Sequence, residues 1–322
     1  MLKAYMLDNG RLKDADGIGP HGAAVVWVDL LTPTDEEEKA VEAWLGAEIP
    51  TRDEMEEIEI SSRLYAEDGA NFMTANLPAN ADGDRPDMAP VTFVLSAGKL
   101  ATVRYHSPRA FQAFAQRAEK AALGCQNGES ILIALLEVIV DREADILERA
   151  GREIMDIAQG IFHPTERQVT KRDRSFHIIL RKIGRKEELL SNMQDSLLSL
   201  ERLCGFLSTI IGKNDRDARA RLKTLQRDVA SISDHAATLA QKINFLLDAT
   251  LGMISIEQNA IIKIFSVVAV IFLPPTLVAS IYGMNFEKMP ELSWSFGYPL
   301  ALVIMVASAI LPFFYFKRRG WL

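Results

Sequence analysis

Two long apolar runs close the chain and limit what it can be. The first, from about Ile261 to Tyr282, carries a single charge, Lys263, near its start. The second, from about Leu292 to Phe316, carries none. A helix of about 20 apolar residues crosses a bilayer, and soluble cores seldom hold uncharged runs of this length. Both runs therefore read as transmembrane helices, at 261–282 and 292–316, joined by the short loop 283–291. Beyond the second span comes Lys317-Arg318-Arg319, whereas the loop carries Glu287, Lys288 and Glu291 and is net −1. The positive-inside rule puts the basic tail 317–322 in the cytoplasm and the loop outside, so both termini are expected to be cytoplasmic. Trp294 and Tyr298 at the outer end of span two, and Tyr315 and Trp321 at the inner end, stand where aromatic rings anchor at headgroups.

Residues 1–260 have the make-up of a folded body. Charged residues are 25% of the chain, which suits a folded domain better than a disordered tail. The net charge is −7; setting aside Lys263, the loop and the tail, which together carry +3, leaves −10 for residues 1–260. That balance argues against nucleic acid as a partner and suits a body that attracts cations. Cys125 and Cys204 lack metal-ligand spacing and point to a reducing compartment. His21, His106, His163, His177 and His235 show no paired ligand spacing, so no structural zinc site is expected. No apolar run opens the sequence, so no signal peptide is expected and the spans serve as insertion signals.

Residues 1–107 read as α/β structure. Ala23–Leu30 is an apolar strand, and Thr34 starts a helix with Asp35, Glu36 and Glu37 in its first turn. Thr51 or Asp53 starts another, through Glu59. Asp68-Gly69 and Ala97-Gly98, flanked by apolar runs, predict two hairpins, and Pro78–Pro90 reads as a polar loop. Residues 108–214 turn helical, with helices over about 108–122, 130–160 and 173–211. From about Asp217, Leu222, Leu225, Val229, Ile232, Ala236, Leu239, Ile243 and Leu246 alternate in steps of three and four, a coiled-coil or bundle seam. It serves either the chain's own helices or copies of the chain. No strong break separates this stalk, 215–260, from span one, so one helix of roughly 100 Å is expected.

Two spans enclose no path alone, so a pore built from them needs several copies around an axis. Continued strictly, the seam gives Glu257, Ala260, Ile264, Val267, Ile271 and Pro274. A neighbouring stripe gives Asn259, Ile262, Ser266, Ala269, Leu273 and Thr276. The second is preferred for its polar and small residues, which suit a narrow channel. Pro274-Pro275 lacks two N–H donors and should distort the helix. The spans hold no Asp, Glu or His, which proton-coupled carriers usually keep there. Gly98-Lys99 and Gly212-Lys213 lack the rest of a phosphate-binding loop. A passive conduit with no cofactor and no enzymatic step is the simplest mechanism. For a divalent cation an inside-negative voltage supplies about 4.6 kcal/mol per 100 mV.

Tyr282-Gly283-Met284-Asn285, followed by Phe286-Glu287-Lys288-Met289-Pro290-Glu291-Leu292 and the closing Phe316-Lys317-Arg318-Arg319-Gly320-Trp321-Leu322, resembles the signature of the CorA family of divalent-cation channels. Motif-level resemblance covers about residues 246–322. It implies a funnel-shaped homopentamer in the bacterial inner membrane that imports Mg²⁺, and often Co²⁺ or Ni²⁺. It implies that Gly283, Met284 and Asn285 form the outer selectivity mouth, with Asn285 holding the hydrated cation. It implies a pore lined by Asn259, Ile262, Phe265, Leu273 and Thr276; here Phe265 stands where the spacing argument chose Ser266. The sequence departs from the family pattern at Pro275, where some members have leucine, and in its short basic collar of Lys317, Arg318 and Arg319. Family gating uses cytoplasmic metal sites built partly from aspartates, for which Asp228 and Asp234 are the stalk candidates.

The resulting expectation is an α+β cytoplasmic domain, a long stalk helix and two carboxyl-terminal transmembrane helices, forming a voltage-driven Mg²⁺ channel. One alternative is a Zn²⁺ transporter of the ZntB-like branch, with or without proton coupling, from which the acidic loop residues Glu287 and Glu291 argue away. The other is a membrane-anchored coiled-coil scaffold that conducts nothing. An anchor needs no Gly-Met-Asn at its outer turn.

Overall fold

The structure, a computed structural model, describes residues 1–19, 22–57, 59–81, 83, 86–163, 172–212, 215–285, 289–290 and 294–321. The chain forms two compact units, Met1–Leu247 and Asp248–Leu322.

Seven strands make one sheet in the first unit: β1 (Leu2–Asp8), β2 (Arg11–Asp14), β3 (Val25–Leu31), β4 (Leu64–Glu67), β5 (Ala70–Ala79), β6 (Asp87–Ser96) and β7 (Lys99–Arg104). Their order is β2-β1-β3-β7-β6-β5-β4; only β3 and β7 run parallel. Three two-residue turns join hairpins: Asn9-Gly10, Asp68-Gly69 and Ala97-Gly98. Both residues of each have positive φ, the backbone that matches the twist of paired strands. Two of these turns were predicted. The first, with the β1–β2 hairpin it closes, was not.

Side chains alternate between the sheet's two faces. Val28, Phe72, Val94 and Val103 point to one face and bury Val41, Trp44 and Leu45 of α1 (Asp35–Leu45) and Met55 of α2 (Arg52–Glu56). Thr34 and Thr51 cap these helices, each accepting from the third backbone N–H while Glu37 or Glu54 reaches back. The helix predicted through Glu59 stops at Glu56; with Met55 alone buried, nothing carries it further. A single turn, α3 (Ile60–Arg63), leads into β4.

The other face, with Trp27, Met73, Phe93 and Leu100, joins a larger core with α4 (Arg109–Lys120), α5 (Gly128–Phe162), α6 (Arg172–Ile210) and the start of α7 (Arg216–Tyr282). The seam of α7 is filled here: Leu222, Leu225, Val229, Ala236, Leu239, Ile243 and Leu246 are buried in one core with Ile139, Ile146 and Ile154 of α5 and Met193, Leu200 and Leu207 of α6. Each such leucine contributes about 1.5–3 kcal/mol on burial. The seam thus serves the chain's own helices, which answers the choice the periodicity left open. Arg221 of α7 adds a forked pair to Glu137 of α5, at 2.9 and 2.7 Å.

The segment read as a polar loop, Pro78–Pro90, is strand at both of its ends. β5 runs to Ala79 and β6 starts at Asp87, with Pro78 opposite Met88 and Asn76 opposite Pro90. β4 pairs with β5 only as far as Leu64↔Met73, so β5 has an open edge beyond it. There Asn76 turns its N–H to Ser199 Oγ (3.0 Å) and its carbonyl to Ser196 Oγ (2.6 Å), both on α6. Pro90 lies one residue beyond the β6–β7 ladder, which ends at Val91↔Arg104. Neither proline stands where the ladder requires an N–H.

In the second unit, α7 continues to Tyr282 as one helix of 67 residues, through Pro274 and Pro275. The last helix, α8, is Gly297–Arg318. It starts later than the expected 292 and takes in Lys317 and Arg318, which had been assigned to the tail; cations suit the last turn of a helix.

Candidate pore-forming hairpin

The apolar parts of α7 and α8 are not the core helices of a soluble protein. Only 6% of the most apolar 18-residue stretch of each is buried. What the second unit does cover is regular. From Ile261 on, the covered residues of α7 are Val267, Ile271, Pro274, Pro275, Val278 and Tyr282. On α8 they are Gly297, Ala301, Met305, Ser308, Ala309, Pro312 and Phe316. Apart from one adjacent pair in each, Pro274-Pro275 and Ser308-Ala309, both series step by three and four, so each helix hides one strip. Lys263 Nζ lies over the Trp321 ring at 5.8 Å, tying the start of span one to the end of α8.

The proposed pore stripe lies elsewhere on α7. Asn259, Ile262, Phe265, Ser266, Ala269, Leu273 and Thr276 are all exposed. At about 100° per residue their mean direction is roughly 180° around the helix from the covered strip. The strict continuation of the seam, Val267, Ile271 and Pro274, falls on the covered strip instead. Sequence reasoning named that series without giving it a role; the run of threes and fours through Val278 to Tyr282 was the signal.

The polar groups of the stripe are held within the helix. Ser266 Oγ donates to Ile262 O at 2.8 Å and Thr276 Oγ1 to Phe272 O at 2.7 Å. Such back-bonds satisfy hydroxyls in apolar surroundings. Pro274 and Pro275 withhold the N–H groups that the carbonyls of Val270 and Ile271 would accept in a regular helix.

At the end of α7, Gly283 N donates to Ala279 O at 2.9 Å and Met284 N to Ile281 O at 3.3 Å. A Cβ on Gly283 would come within 3.1 Å of Ala279 O, so glycine lets the chain leave the helix tightly. Met284 and Asn285 follow, both exposed. Glu287 and Glu291 lie outside the described residues.

Trp294 and Tyr298 mark one end of α8 and Tyr315 and Trp321 the other, all exposed, as an aromatic belt requires. Lys317, Arg318 and Arg319 are exposed beside them, with Arg319 over the Tyr315 ring at 5.5 Å. Asp228 and Asp234 are exposed on α7. Among the described residues no three His, Cys, Asp or Glu side chains form a group that could hold a metal ion.

An α+β domain, a helix of 67 residues whose apolar end leads into Gly-Met-Asn, and a second apolar helix define a two-span membrane protein. The family of CorA-like Mg²⁺ transporter proteins matches residues 22–318, and the chain belongs to that family. The magnesium transport protein CorA of Pectobacterium atrosepticum is 38% identical over 334 residues, with all of both chains covered. The complete structure of the CorA magnesium transporter from Methanocaldococcus jannaschii has the same fold, with a TM-score of 0.77 at 19% identity, covering 100% of this chain and 99% of that one. The ZntB cytoplasmic domain from Vibrio parahaemolyticus matches less closely, with a TM-score of 0.56 at 11% identity, covering 79% of this chain and 97% of that one.

Proposed function

We propose that the chain assembles with copies of itself, as a pentamer, into a Mg²⁺ channel of the bacterial inner membrane. The observation that carries this reading is the α7 stripe. Its residues are exposed and lie across the helix from the strip the chain covers for itself. In lipid, Asn259 is costly unless it lines a path or meets another copy. A ring of stripes meets that need. Asn259 is then a polar ring at the inner mouth, and Ile262 and Phe265 an apolar constriction that closes by dewetting.

Gly283, Met284 and Asn285 form the outer mouth. Mg²⁺ gives up its water reluctantly, so a ring of amide and backbone oxygens takes it hydrated. Co²⁺ and Ni²⁺, similar in charge and hydration, pass by the same route. Glu287 and Glu291 concentrate cations outside, and Lys317, Arg318 and Arg319 form a basic collar inside. The membrane potential drives entry, with both termini cytoplasmic. Magnesium as the cargo is supported by the name of the 38% identical relative.

Flux into proteoliposomes tests the reading, with Mg²⁺, Co²⁺, Ni²⁺ and Zn²⁺ compared with and without a pH gradient. Mg²⁺ flux driven by voltage and indifferent to the pH gradient is the expected result. Zn²⁺ flux that follows the pH gradient overturns it, and no flux of any divalent ion leaves a scaffold.

A further inference from the structure

We propose that Glu143 is a proton-operated latch that holds α6 to the open edge of the sheet. Glu143 lies on α5 and is 1% exposed. Its Oε1 is 2.5 Å from Ser196 Oγ on α6, and that oxygen is 2.6 Å from the carbonyl of Asn76 on β5. Ser196 has one proton and faces two acceptors. Ser199 is no substitute, because its hydroxyl donates to Ser196 O at 2.7 Å and reaches Asn76 O only at 3.5 Å. Both short contacts are hydrogen bonds only if Glu143 brings a proton of its own. The chain then runs from the Glu143 O–H to Ser196 Oγ, and from the Ser196 O–H to Asn76 O, tying three elements in one line.

The surroundings favour the protonated acid. Burial, opposed in part by the Ser196 hydroxyl, pushes the carboxyl up to about 8. Its other oxygen, Oε2, has no hydrogen-bond partner, and Glu143 lines a cavity of about 20 Å³. The charged groups on that wall are Arg142 on its own helix and Arg109 on α4; β5 faces it with Leu77 and Pro78. Leu77 of that wall accepts through its carbonyl from His106 Nε2 at 2.8 Å, and burial lowers the His106 pKa. When Glu143 loses its proton, Ser196 must turn its hydrogen to the carboxylate. Asn76 O then loses its short donor, and among the described residues the Asn76 N–H to Ser199 is the short hydrogen bond left between β5 beyond Met73 and α6. Mild alkali is the trigger, and the segment freed is the part of β5 that β4 does not cover.

Hydrogen exchange on the full chain in lipid nanodiscs tests this, across about pH 7–9 and corrected for the intrinsic rate, with infrared spectra of the same samples. The wild type should show a protonated carboxyl band at neutral pH that Glu143→Gln lacks. Exchange over residues 74–79 should rise several-fold with pH in the wild type and stay flat in Glu143→Gln, whose amide donates to Ser196 without titrating. Ser196→Ala should exchange fast at every pH. A wild type without the band at neutral pH overturns the proposal even if the variants fail to fold. So does the same pH-dependent rise in Glu143→Gln as in the wild type.

Discussion

Arg104 closes on Asp29 through two hydrogen bonds, Nε to Oδ1 at 3.0 Å and Nη2 to Oδ2 at 2.8 Å, across the one parallel strand pair of the sheet. Both are buried, at 8% and 4% exposure. Thr102 donates to Asp29 Oδ1 at 2.8 Å, and Arg104 spends Nη1 on His106 O at 2.9 Å. A buried pair with its other lone pairs and protons engaged costs most when one member is removed. Arg104→Met should destabilise the first unit by about 3–5 kcal/mol by taking the buried partner cation from Asp29. Asp29→Leu with Arg104→Met should recover most of that loss. Thermal unfolding of the purified chain checks both; a single variant that unfolds with the wild type would show the pair to be dispensable.

Asn285→Ala should abolish Mg²⁺ flux while the assembly survives on size-exclusion chromatography, because the amide belongs to an exposed loop and not to the packing of the hairpin. Loss of assembly together with flux would mean that the residue builds the mouth instead of selecting at it.

The two faces of α7 make different predictions for cysteine substitution. Thr276→Cys and Ile262→Cys should react with a water-soluble thiol reagent and lose flux by tenfold or more, whereas Val267→Cys and Ile271→Cys should not react. The native thiols give little background: burial pushes Cys125 up to about 11 and Cys204 up to about 12. The thiolate is the reactive form. The reverse labelling pattern would turn the helix around and move the pore to the other face.

Glu143 predicts a pH slope in stability. Its carboxyl rises from an ordinary 4.5 to about 8 on folding. Between those values the folded state holds a proton that the unfolded state has released. Its contribution is therefore full below about 4.5, falls as pH rises and is gone above about 8. Unfolding midpoints of the wild type and Glu143→Gln should draw together towards low pH and separate towards pH 8, with the variant the more stable there. A constant difference across the range would refute the shift.

Much of this fold was legible because local chemistry and global packing agree. The capping boxes at Thr34 and Thr51, the Asp68-Gly69 and Ala97-Gly98 turns and the leucine seam each leave a local mark. The misses have physical causes. Pro78 and Pro90 read as loop because their tolerance depends on an edge that only the sheet order reveals. Asn9-Gly10 was a readable turn, but its strands Leu2–Asp8 and Arg11–Asp14 mix charges among apolar residues and hide the alternation. In the spans, the candidate stripe was found by polarity, whereas the strip the chain keeps for itself is apolar on an apolar helix. Glu143 left no mark, since one glutamate in a helical run looks like solvated surface until Ser196 and Asn76 are brought to it.

The exposed stripe of α7 also has a genetic consequence. In the proposed assembly one chain supplies a single stave of the wall, and conduction belongs to the assembly. A cell expressing Asn285→Ala beside the wild-type gene would distribute defective staves among nearly all its channels. Such an allele should be dominant, and transport should fall well below the half that a mere loss of one gene copy would leave.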